Sequence, residues 1–272
     1  MILSFGSSST LGAAPLALAV VAVLAYLAAA WPSDPQARLP TPALIAGVLL
    51  HGLLLLMDIG GWGRIEAGAR LGFGPVLSLA VWLVLAVHTI ESRFVPLPAV
   101  RRVLATCGAA VVLLAWAFPG EVHASSSPWT PLHWVLGVAA YGLFGAAVLH
   151  ATMLDAAERR MRLRATPPAA PLGLPLLRLE RLTFRFVEAG FVVLTLALVL
   201  GVLTAARWRW DHKTVFSLLG WAVFAALLAG RQWRGWRGRR ATRWLYVGAL
   251  LLLLAYVGSR FVFEVLLGRS AP

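Results

Sequence analysis

Apolar and polar residues are segregated along this chain into long blocks. Eight predominantly apolar runs, roughly 14–31, 41–58, 74–92, 102–118, 131–154, 184–205, 214–230 and 244–266, alternate with short stretches rich in Pro, Gly and Arg. A run of about 17–25 apolar residues, coiled as a helix, matches the hydrocarbon thickness of a bilayer. The joints "WPSDPQARLPTP", "DIGGWGRIEAGARLGFGP", "FVPLP" and "FPGEVHASSSPWTP" carry the residues that stop helices and turn chains. The pattern predicts an all-α polytopic membrane bundle of eight transmembrane helices, forming a single membrane domain over 1–272. The first run has no Lys or Arg before it, as a cleaved signal peptide would, and is expected to be a retained span. The longest connection contains a Pro-rich loop over 164–178, and a short amphipathic piece after it is expected to lie along the membrane interface.

Composition supports the membrane reading. Hydrophobic residues make up 60% of the 272 and charged residues only 13%, far from the balance of a soluble domain. The net charge of +13 would suit a nucleic-acid partner, but the arginines sit in short loops between apolar spans, which excludes that class. Seven arginines fall in 155–185 and six in 231–243. Loops rich in Lys and Arg stay on the cytoplasmic side. With eight spans, 17 of the 24 basic residues then face inward and both termini face outward, in a bacterial inner membrane. The lone Cys107 forms no disulfide within the chain and belongs to no CxxC or CxxCH motif; a small buried residue is expected there.

The histidines are the most informative polar residues. His51 lies near the middle of the second span, where an ionisable group is costly and is a functional candidate. A neutral histidine bonded to a neighbouring helix is the plainer alternative. His88 and His150 lie near the cytoplasmic ends of their spans and can reach the interface. His123, His133 and His212 all fall on the outer side, His133 and His212 each opening a span. Two helices that begin at the same face can bring two imidazoles to opposite sides of one flat ligand, a natural way to hold a haem iron.

Around them lie Trp129, Trp134, Trp208 and Trp210, able to pack on a porphyrin, and Arg207, Arg209 and Lys213, able to pair with its propionates. Asp211 can cap the seventh span, or accept the second N–H of a ligating imidazole. Spacing alone leaves two readings open: this haem platform, or an interfacial aromatic belt with an ordinary cap.

At these residues the chain resembles the cytochrome c assembly superfamily of membrane haem-handling proteins, and most of all its HemX-like and YpjD-like branch. The superfamily carries an outward loop of the form W-x-W-D-P-K-E-x-W-S-L-x-x-W. Here the text is "WRWDHKTVFSLLGW", matching at Trp208, Trp210, Asp211, Lys213, Ser217, Leu218 and Trp221. The segment "PWTPLHWVLGVAAYGLF" is similar to the one whose histidine is an outer haem ligand, a position His133 takes. His51 resembles an intramembrane family histidine. The likeness covers about 40–268.

The resemblance implies non-covalent b-type haem and a role in cytochrome c maturation or haem regulation. It also implies maturation proteins or apocytochrome as partners, and a binder rather than an enzyme. The departures are that His212 replaces the pattern's proline, Thr214 its glutamate, and that "EVLLGRS" lacks the second outer histidine. Either His212 or His123 then substitutes, or one histidine holds the haem, or none is bound. A permease or ion-efflux subunit is the competing function, with His51, Asp58, Glu188 and Glu264 as its polar groups.

Overall fold

The computed structural model describes residues 13–31, 40–60, 69–70, 72–92, 98–120, 122–123, 129–162, 176–204 and 210–267. Within them run the helices α1 (Ala13–Ala30), α2 (Pro40–Gly60), α3 (Phe73–Glu91), α4 (Pro98–Ala117), α5 (Thr130–Arg162), α6 (Leu176–Thr204), α7 (His212–Arg234) and α8 (Gly238–Leu253). The last continues through two π-helical stretches, Leu254–Gly258 and Phe261–Leu266. Two-residue strands β1 (Ala69–Arg70) and β2 (Val122–His123) pair antiparallel, with Ala69 opposite His123. Among the described residues, six helices, α3 to α8, are long and apolar enough to cross a membrane. The apolar stretches Pro15–Ala30 and Pro42–Asp58 of α1 and α2 are shorter.

The sequence explains where these helices begin. Pro40, Pro75, Pro98 and Pro131 fall in first turns, where a missing N–H breaks no intrahelical bond. Helix ends find other partners. Arg101 on α4 donates Nε–H to the carbonyl of Ala29 at the end of α1, 3.1 Å away. Gly235, in the left-handed region at φ 64°, turns the chain out of α7, and its N–H and that of Trp236 both close on the Gly230 carbonyl.

Two cores result. Tyr26, Leu44, Leu85 and Ala105 gather from α1 to α4, and Phe144, Phe184, Phe224 and Leu245 from α5 to α8. Phe144 and Phe224 stack with centroids 3.9 Å apart. Helix α3 joins the halves by packing on α5, where Leu83 and Val84 lie directly over Gly142 and Gly145.

His51 sits in the first core at 1% exposure, with both ring nitrogens bonded. Tyr26 Oη lies 3.0 Å from Nδ1 and Ser78 Oγ 2.7 Å from Nε2. Either neutral tautomer donates at one nitrogen and accepts at the other, so the ring is satisfied and ties α1, α2 and α3 together. The Tyr26 ring is keyed between Gly47 and Gly108: a Cβ on the first would lie 2.8 Å from its Cδ1 and on the second 2.9 Å from its Cζ.

Three features differ from the sequence expectation. The piece after the Pro-rich loop is continuous with α6, which starts at Leu176, three residues inside the expected loop, rather than lying apart. Glu180 explains the extension, because it pairs with Arg231 of α7 at 3.1 Å and ties these turns to the bundle. Helices α5 and α8 likewise outrun their apolar windows, held by Asp155, which accepts from Thr242 at 3.1 Å and Tyr246 at 2.9 Å. Cys107 is exposed on α4 rather than buried. On a membrane helix the exposed face is lipid-facing, where a small apolar residue is equally at home.

Two substitutions separate packing from hydrogen bonding at the triad. Tyr26→Phe should lower the stability of the detergent-solubilised protein by only about 0.5–2 kcal/mol, because polar bonds between membrane helices are individually modest. Tyr26→Ala, which empties the slot between two glycines, should cost about 3–5 kcal/mol. Thermal unfolding followed by circular dichroism would measure both, and equal losses would mean that the slot is not tightly filled.

Candidate functional site

Helix direction brings His133, Asp211, His212 and Lys213 to one end of the molecule. There α2, α4, α6 and α8 finish, and α3, α5 and α7 begin. Pairing of β1 with β2 ties the connection between α2 and α3 to that between α4 and α5 at this same end.

His133 lies in the first turn of α5, where its N–H bonds the Trp129 carbonyl at 3.1 Å. Its Nδ1 is 3.0 Å from the carbonyl of Ala197 on α6. A carbonyl only accepts, so Nδ1 carries the proton, and Nε2 of the neutral ring keeps its lone pair. That is the tautomer in which metal-ligating histidines are commonly held. Gly201, one turn further along α6, makes room for the ring, because a Cβ there would lie 3.0 Å from Cε1.

His212 opens α7 and stacks on Phe263 of the final π-helical stretch, with centroids 5.7 Å apart. Asp211 is the N-cap, its Oδ1 accepting from the Thr214 amide at 2.8 Å. Burial pushes the Asp211 carboxyl up. The Thr214 bonds and the charges of Lys213 and His212 outweigh that and hold it below its ordinary value. Among the described residues, no hydrogen bond joins Asp211 to an imidazole, and no hydrogen bond or ring contact joins His133 to His212.

Sequence reasoning did not bring out the lining from α8. Lys213 Nζ and the Arg260 guanidinium lie 5.2 and 5.4 Å from the centroid of one ring, that of Tyr256. Arg260 is buried and pairs with Glu264 at 3.1 Å, while the other Glu264 oxygen accepts from the Phe73 amide at 2.8 Å. The legible signal was the i, i+4 spacing of Arg260 and Glu264 in an apolar span. What the sequence hides is the π-helical register. The Tyr141 hydroxyl donates to the Leu252 carbonyl, and Ser259 Oγ bonds the carbonyls of Ala255 and Tyr256. Tyr141 from α5 and Ser259 from the same helix thus supply donors to carbonyls at and beside the widened turns.

The remaining predicted residues are placed as follows. Trp134 packs half-buried against Phe73, Val76 and Val257. Trp129 and Trp210 are at the same end and exposed, Trp210 at 73%. His123 is in β2 by its backbone, and its side chain lies outside what is described. Arg207, Trp208 and Arg209 lie outside the described residues. His51 is not at this end but in the core triad. Of the groups expected for a permease, Asp58 pairs with Arg70 at 3.8 Å, Glu188 is exposed on α6, and Glu264 is engaged at the start of α3.

The family described as cytochrome C assembly protein matches residues 73–267. An uncharacterized 28.8 kDa protein of Azospirillum brasilense is 30% identical over 223 residues, covering 76% of this chain and 81% of that one. Inner membrane protein YpjD of Escherichia coli K12 is 29% identical over 204 residues, covering 72% and 75%. Cytochrome c biogenesis protein CcsA of Rippkaea orientalis is 27% identical over 262 residues, covering 93% and 69%. No solved structure matches the chain.

The α7 cap gives a test of local geometry. Asp211→Ala should cost about 0.5–2 kcal/mol and speed amide exchange at Thr214, while Asp211→Asn should retain most of the cap. Because the folded carboxyl value is depressed, the charged cap's contribution is fully present above the unfolded value of about 3.9. It is lost as pH falls through the lower folded value. Exchange at Thr214 that is insensitive to both substitutions would remove the cap from the account of α7.

Proposed function

The chain belongs to the cytochrome C assembly protein family, and from this premise we propose that it binds and hands on haem at the end of the bundle where α5 and α7 begin. At the coarser level it is a multi-pass membrane protein of cytochrome c biogenesis. The finer reading is a single membrane unit of eight spans in the bacterial inner membrane, both termini outside, with the His133 end facing outward. The haem is b-type, held without a covalent bond, and is cargo rather than the centre of a catalysed reaction. Maturation proteins or an apocytochrome are the partners from which such cargo comes or to which it goes.

The observation that carries this reading is His133. Its Nδ1 proton is committed to the Ala197 carbonyl, which leaves Nε2 as the donor for iron. His212 is the second ligand on this reading, with His123 the substitute. Lys213 and Arg260 supply counter-charge for propionates beside Tyr256, and Arg207 and Arg209 add to it. Trp134, Trp129, Trp208 and Trp210 offer ring faces. His51 stays outside the ligand set on this reading, because ligation through either nitrogen would displace the Tyr26 or the Ser78 hydroxyl.

Protein purified in mild detergent from cells with ample haem should show a stoichiometric Soret band and sharp reduced bands. His133→Ala should abolish or shift that spectrum. Gly201→Val, which drives a side chain into the imidazole, should do the same without touching the ligand itself. Replacing Trp208 and Trp210 should weaken retention roughly tenfold while leaving the spectrum's shape, as expected for lost stacking. If His133→Ala and His212→Ala both leave the spectrum unchanged, the ligand assignment is wrong.

A further inference from the structure

The opposite end of the molecule carries a second built feature, independent of the haem reading. A cavity of about 780 Å³ opens among the last turns of α5, the first turns of α6 and the turn from α7 into α8. Leu154, Met161 and Leu176 form its apolar lining. Glu158, Glu180, Arg237, Arg239 and Arg240 form its polar lining.

The charges are not evenly paired. Glu180 is committed to Arg231 at 3.1 Å, with Arg237 at 3.9 Å. Among the described residues Arg239 and Arg240 have no carboxylate partner, and Arg240 rests on the Trp236 ring, 4.4 Å from its centroid. Glu158 likewise pairs with no Lys or Arg among the described residues. It lies against Gly238, where a Cβ would be 3.4 Å from its Oε1. The start of α8 has no acidic residue in its first turn and no side-chain cap. Its positive end therefore favours the Glu158 carboxylate at the cavity wall.

Depth identifies the occupant. Helix α5 has 33 residues, about 50 Å at about 1.5 Å per residue, against a hydrocarbon core of about 30 Å. Its last turns, which carry Glu158 and Met161, therefore stand at headgroup level. A ligand suited to this cavity has an anion for two arginines, a hydrogen-bonding cation for one carboxylate, and an apolar body between them.

We propose that the cavity binds the headgroup of an aminophospholipid, its phosphate on Arg239 and Arg240 and its primary ammonium on Glu158. Lysines or arginines alone would favour any anionic lipid. Here the Glu158 carboxylate selects phosphatidylethanolamine over phosphatidylglycerol, which lacks the amine, and over phosphatidylcholine, whose quaternary nitrogen has no N–H to donate.

The test is native mass spectrometry of the full chain in detergent, titrated with each of the three lipids and with water-soluble phosphoethanolamine. Phosphatidylethanolamine should bind about tenfold tighter than phosphatidylcholine, the scale of one charge-assisted hydrogen bond. Glu158→Gln should erase that preference, and the Arg239→Ala/Arg240→Ala pair should weaken all three lipids. Both variants should keep the wild-type circular dichroism melt, which separates lost binding from lost fold. Phosphatidylglycerol binding as tightly as phosphatidylethanolamine, or a preference that survives Glu158→Gln, would overturn the proposal in favour of a non-selective basic patch. Full competition by phosphoethanolamine at equal concentration would overturn the lipid in favour of a soluble ligand.

Discussion

Lipid offers no hydrogen bonds, so each polar group that this chain places between apolar spans must find its partner inside the protein. Much of the architecture follows from that constraint. Tyr26 and Ser78 close on His51, Glu91 reaches His150 Nε2 at 3.1 Å, and Thr242 and Tyr246 close on Asp155. Each set joins different helices, so satisfying the polar groups also fixes how the helices pack. The apolar cores add density but are less directional, since a leucine face tolerates sliding where a pair of hydroxyls on one carboxylate does not. His88 is an exception, buried at 2% exposure with Nε2 unbonded among the described residues.

The same constraint separates the histidines. His51 has both nitrogens engaged within the bundle, and His150 is bonded on both sides, by Ala146 and Glu91. His133 has one nitrogen engaged by a carbonyl and no second bond among the described residues. A histidine fixed by a single backbone acceptor, beside a glycine that leaves room for its ring, is oriented without being used up. That difference gives His133 a stronger claim to an external ligand than its neighbours in the sequence, although all are imidazoles in apolar helices.

The length of the apolar runs made α1 to α8 legible as helices, and six of them, α3 to α8, are long and apolar enough to cross a membrane. The first turns were legible too, since proline and an Asp–Thr cap act locally. Legibility fails where position depends on a distant partner. Nothing near Leu176 shows that α6 starts there, because Glu180 holds that turn through Arg231, 51 residues away in the chain. Likewise the π-helical end of α8 depends on Tyr141, 111 residues before Leu252. The pairing of Arg260 with Glu264 is readable as an i, i+4 spacing, but the Phe73 amide that completes it lies 191 residues away. His133 and its tryptophans were visible as a motif, while the Ala197 carbonyl and Gly201, which orient the ring, belong to an apolar helix with no mark of its own.

The most conspicuous departure from the pattern the chain resembles, histidine where proline is usual, is explained by the start of α7. His212 is the first helical residue, and Asp211 before it is the cap. A residue at that position has an N–H with no intrahelical acceptor, which is why proline is accepted there and why its loss breaks no backbone bond. The cap survives the exchange because it uses Asp211 and the amide of Thr214, neither of which needs the proline ring. An imidazole is therefore introduced at the mouth of the bundle at little structural cost. Phe263 then gives it a stacking partner from the π-helical end of α8, the same stretch that brings Glu264 to the Phe73 amide. A helix start that tolerates substitution, facing a helix end whose register is set from elsewhere, is a place where a new side chain can be added without disturbing what holds the rest together.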